Sequence, residues 1–157
     1  MNFPYQKSQG GDYFPVINIF VSNKDHVFQI NTLIDSGATV SIFKQDVAEQ
    51  LGVTIEKGKE IYLGGVGGRI KGYLHKLEVE ISGKKFRCPI VFSREYTVSF
   101  NLLGREAFFK QFRIIFEEKK NFLALEQYGF LVEFSMIGNS KSVGFITELL
   151  NQSQGKT

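Results

Sequence analysis

Apolar and polar residues alternate with a period of two along most of this chain, and the 3.6-residue period of an amphipathic helix is rare. Residues 15–21 predict a strand, 22–25 a turn and 26–34 a returning strand, which together make a hairpin. A short strand is predicted over 40–43. Over 44–51, Val47, Ala48 and Leu51 fall at helical spacing before Gly52, which predicts a helix. Strands over 61–63 and 70–81 flank a glycine cluster. In the second, Leu77, Val79 and Ile81 alternate with Glu78 and Glu80, so one face is wet. Ser82 and Gly83 turn the chain into a strand over 84–92. A strand over 98–103, a helix over 105–112 and a strand, charged turn and strand over 112–116, 117–121 and 122–125 follow. Beyond Glu126 the pattern weakens to a strand over 130–137, a short helix over 143–150 and a frayed tail over 152–157. Many short strands with one or two short helices indicate an all-β barrel or sandwich.

The 157 residues suit one principal domain. We expect a flexible segment over 1–12, the domain over 13–126 and a C-terminal extension over 127–157. The net charge, 19 − 16 = +3 with both signs interspersed, gives no reason to expect nucleic acid as a partner. One cysteine, Cys88, excludes an internal disulfide and a cysteine-cluster zinc site. His26 and His75 are too few for a multi-histidine centre, so no metal and no cofactor is expected. No stretch approaches the roughly 18 apolar residues of a membrane span, and residues 1–11 are polar, unlike a signal peptide. A soluble chain in the reducing cytoplasm is the expectation.

Three short segments carry the chemistry. Asp35-Ser36-Gly37-Ala38-Thr39 follows directly on an apolar strand, so Asp35 emerges from the end of a packed element. Taken alone it reads equally well as an Asx turn leaving a strand. Gly64-Gly65-Val66-Gly67-Gly68 lies between two strands and fits neither a phosphate loop nor a dinucleotide fingerprint. Leu102-Leu103-Gly104-Arg105 is an apolar pair and a glycine at a strand-to-helix junction.

In this order and spacing, the three segments together resemble the retropepsins, single-domain homodimeric aspartic proteases of retroviruses and their cellular relatives. The resemblance covers roughly residues 15–125 and implies a closed acid-protease barrel with a flap hairpin. Asp35 matches the catalytic acid, and Ser36, Gly37, Ala38 and Thr39 its supporting loop. Residues 61–71 look like the flap, with Leu63, Gly64, Gly65, Val66, Gly67, Gly68 and Ile70 at its working end. Leu103, Gly104 and Arg105 match the structural element that precedes the family helix. Leu33, Phe100 and Leu102, with Leu63, Val66 and Ile70, would wall the substrate pockets, which implies apolar or aromatic side chains flanking the cut. Viral members often carry Asp at the Thr39 position, paired with an Arg at the Arg105 position. Thr39 cannot make that ion pair.

The chain contains four Asp: Asp12, Asp25, Asp35 and Asp46. None follows position 46, so a second Asp-Thr/Ser-Gly is lacking. Aspartic protease chemistry needs two carboxylates around one water. Such an enzyme must therefore take its second Asp35 from another copy of the chain, across a two-fold axis. The expected partners are that second copy and a peptide or unfolded protein. The alternative reading is a non-catalytic peptide-binding or dimerisation module on the same fold.

Overall fold

The computed structural model describes residues 1–65 and 68–128. The strand, helix and tail expected beyond residue 129, and Val66 and Gly67 of the glycine cluster, lie outside the described residues. Two compact units divide the chain, Met1–Glu126 and Gln127–Thr157. The elements below belong to the first, apart from the last residue of the final strand.

Period-two alternation builds the first hairpin. In β4 (Val16–Asn23), Ile17, Ile19 and Val21 are buried while Asn18 and Phe20 face outward. In β5 (His26–Ile34), Ile30, Thr32 and Ile34 point inward. Thr32 is polar and fully buried, and its hydroxyl donates to the Ile17 carbonyl at 3.3 Å, which offsets its desolvation. β6 (Ser41–Phe43) leads into α1 (Gln45–Gln50), whose Val47 and Ala48 enter the core. A 3-10 turn, Ile55–Lys57, precedes β7 (Lys59–Gly65). β8 (Gly68–Ile81) is long enough to serve three partners: β7, β4 and β9 (Lys84–Phe92).

With Asn101–Leu103 as β10, the strand order β4-β5-β10-β6-β9-β8, with β8 returning to β4, closes a ring, and β7 flanks β8. β10 is inserted between two strands that neighbour each other in sequence, parallel to β5 and antiparallel to β6. The ring encloses a core that includes Phe43, Phe92, Ile90, Leu103 and Phe108. Beside it, β11 (Phe112–Glu117), a 3-10 turn (Glu118–Lys120) and β12 (Phe122–Gln127) make a further hairpin.

Three expectations need correction. The helix expected over 105–112 is a series of turns. Ala107 takes a left-handed conformation (φ 67°), which interrupts any right-handed helix, and the bend tucks Phe108 against Phe112 with ring centroids 5.7 Å apart. The strand expected over 98–103 is confined to β10, because the Phe100 carbonyl accepts the Tyr96 hydroxyl at 2.7 Å instead of a ladder bond. Finally, the N-terminal segment expected to be flexible is tied down. Asn2–Pro4 (β1) pairs with β12, Tyr5 is buried, and its hydroxyl donates to Glu118 Oε1 at 2.8 Å. Gln6–Lys7 (β2) and Tyr13–Phe14 (β3) form a further small ladder.

Candidate active site

Asp35 stands one residue beyond the end of β5, where the inserted strand β10 fixes the backbone. Ile34 is in register with Leu103, and the Asp35 amide donates to the Leu103 carbonyl at 3.1 Å. The Gly37 amide donates to Asp35 Oδ1 at 2.9 Å, so the Asx turn is present and orients the carboxylate. The Ala38 amide closes the turn on the Asp35 carbonyl at 3.3 Å. Ser36 and Gly37 are exposed and Asp35 is half-buried.

The turn is clamped from the other side by the residues after β10. Arg105 and Glu106 amides donate to the carbonyls of Ala38 and Thr39 at 2.9 and 2.8 Å. The buried Ser41 hydroxyl accepts the Gly104 amide at 3.1 Å. Gly104 is required by close approach, since a β-carbon there would lie 2.5 Å from the Val40 carbonyl oxygen. Arg105, which lacks an acidic partner at position 39, donates to Thr39 Oγ1 at 3.4 Å.

The expected pocket residues divide into groups. Leu33 and Leu102 are in register on adjacent parallel strands, both half-exposed, while Thr32, Ile34 and Leu103 beside them are buried. They form a small apolar surface next to Asp35. Leu63 and Ile70 are cross-strand partners on the β7–β8 hairpin, where Gly64 pairs with Arg69 and Gly65 with Gly68. Phe100 packs on Phe14 with ring centroids 5.3 Å apart.

Tyr96 and Ser41 were missed by sequence reasoning. Burial first, and then the negative charge of Asp35, push the Tyr96 phenol up to about 12. Only the folded loop brings this ring near Asp35, and no local pattern announces it. Ser41 also contacts the Cys88 sulfur at 3.7 Å. Burial pushes the Cys88 thiol up to about 11, so it stays protonated and unreactive in the fold.

Comparison with known proteins places this geometry. A crystal structure of a retropepsin-like aspartic protease from Rickettsia conorii superposes with a TM-score of 0.55 at 22% identity, covering 80% of this chain and 90% of that one. The EIAV protease complexed with the inhibitor HBY-793 gives a TM-score of 0.46 at 19% identity, covering 59% of this chain and 82% of that one. The former likeness shows a retropepsin-like fold. A search of curated proteins gives no match. Residues 23–110, more than half of the chain, match the family model described as gag-polyprotein putative aspartyl protease. The chain belongs to that family of aspartyl proteases.

Proposed function

We propose that the chain is an endopeptidase that cuts peptide bonds with a water activated between two Asp35 carboxylates, one from each copy of a homodimer. The observation that carries this reading is the setting of Asp35: its amide is fixed by Leu103, one carboxylate oxygen is oriented by Gly37, and the exposed Ser36 and Gly37 are left to face another chain. A lone carboxylate cannot act as general base and general acid at once. Two carboxylates brought close share one proton, because like charges resist ionising together. The ionised member takes a proton from water as that water attacks the scissile carbonyl. The protonated member polarises the carbonyl oxygen, and the pair then returns a proton to the leaving amine.

In this dimer the Ser36 hydroxyls bond across the axis and stiffen the two loops, which matters because small misplacements of reacting groups cost rate steeply. The β7–β8 hairpin is the flap. It closes over an extended peptide bound as an added strand, with main-chain bonds from Gly64. Leu33, Leu102, Phe100, Leu63 and Ile70 supply apolar walls, so apolar or aromatic side chains flank the cut.

The test is cleavage of an unfolded protein and of apolar peptides by the purified chain, beside Asp35→Asn. Removing the acid–base group is expected to cost a factor on the order of 10²–10⁴, with circular dichroism and dimer mass retained. Equal cleavage by Asp35→Asn overturns the reading. Peptide binding without turnover by the wild type points to the non-catalytic module instead.

A further inference from the structure

The main chains of β8 and β9 part at one end of their ladder. The last register pair towards the β7–β8 hairpin tip is Tyr73 with Phe92. Beyond it, side chains replace the missing rung. The Ser93 hydroxyl donates to the Lys71 carbonyl, and Glu95 Oε2 accepts the Lys71 amide at 3.1 Å. The Glu95 amide in turn donates to Ser93 Oγ at 3.1 Å. Ser93 is buried. Gly72 makes the approach possible, since a β-carbon there would lie 2.5 Å from Val91 Cγ1. Lys71 meanwhile reaches across the hairpin to Glu60 on β7 at 2.8 Å. The clasp therefore grips both strands of the hairpin stem.

The same loop continues to Phe100. The Tyr96 amide donates to the Ser93 carbonyl at 3.4 Å, and the Tyr96 hydroxyl donates to the Phe100 carbonyl at 2.7 Å. Arg94 pins the start of the loop to Glu56 at 2.7 Å. An unbroken series of contacts thus runs from the hairpin stem at Lys71, through Ser93 and Tyr96, to the ring of Phe100 on Phe14.

We propose that Ser93 and Tyr96 are positioning residues that couple the β7–β8 hairpin to Phe100, so that hairpin closure sets how far Phe100 reaches towards a bound side chain. The inference rests on the endopeptidase reading for hairpin closure and for its consequence, side-chain selection; the series of contacts is a property of the fold. Closing the hairpin moves Lys71, and Lys71 carries the loop with it. A large apolar side chain that fills the space before Phe100 holds the closed arrangement, whereas a small one leaves it loose. Discrimination by size is then set by residues that never touch the substrate.

The test compares wild type, Tyr96→Phe, Ser93→Ala and Ser93→Thr on two peptides that differ only in a Phe or an Ala beside the cut. Loss of one hydrogen bond in the series is expected to lower the Phe-to-Ala ratio of kcat/KM about fivefold, through KM more than kcat, and Ser93→Thr restores it. Amide hydrogen exchange of the same proteins gives a second readout: Tyr96→Phe should speed exchange in residues 68–74, on the far side of the clasp. A ratio unchanged in both Tyr96→Phe and Ser93→Ala overturns the proposal. So does a lowered ratio with unchanged exchange in residues 68–74, because the two ends are then uncoupled. A wild type that cleaves neither peptide refutes the endopeptidase reading instead, and exchange alone then decides the coupling.

Discussion

Gly104 lies so close to Val40 that a β-carbon at position 104 would sit 2.5 Å from the Val40 carbonyl oxygen. The obstacle is main chain on both sides, so neither can swing aside. Gly104→Ala must push β10 away from the turn that carries Asp35. Overpacking of this kind costs about 1–3 kcal/mol. We expect a lower urea midpoint, measured by fluorescence or circular dichroism, and a larger loss of peptide cleavage than the stability change explains. An unchanged midpoint would show that the turn has slack.

Arg105 and Thr39 test the electrostatics of the same clamp. Their side chains meet at 3.4 Å without an ion pair. Thr39→Asp supplies the missing charge at an exposed site, where such pairs contribute about 0.2–1 kcal/mol. A double-mutant cycle with Arg105→Ala measures the coupling. We expect a small stabilisation that disappears in the Arg105→Ala background and shrinks in high salt.

Cys88 gives a pH-dependent prediction. Burial pushes its thiol from 9.0 up to about 11, against a smaller opposing effect of the Ser41 hydrogen bond. The folded chain therefore holds this proton more tightly than the unfolded chain does. The stability that results is fully present below pH 9 and is lost as the pH rises through 11. At pH 8 a thiol reagent should label the chain only as fast as it opens, and mild urea should accelerate labelling. Prompt labelling of the native chain would contradict the burial.

The hairpins were legible because their signals are local. Leu77, Val79 and Ile81 alternate with two glutamates, and Ser82 and Gly83 both take positive φ (50° and 82°), as a two-residue turn between twisted strands requires. The order of the three motifs announced the family. Long-range pairing was not legible. Nothing in Asn2–Pro4 announces that Phe3 will lie opposite Leu123. The helix expected over 105–112 failed for a related reason: the left-handed turn at Ala107 follows from how Phe108 and Phe112 share the core, which no local propensity encodes. Tyr96 went unnoticed because a tyrosine in a polar loop has no signature until the loop closes its hydroxyl on Phe100.

The central claim is that each active unit draws one Asp35 from each of two chains, and mixing tests it most directly. Wild type is held at fixed concentration while Asp35→Asn protein is added under conditions that allow exchange of chains. Random pairing into two-fold dimers predicts that cleavage falls to about half at equal amounts and to about a tenth with a ninefold excess of the variant. Cleavage that stays constant across the mixture would mean that each chain works alone, and would contradict the account.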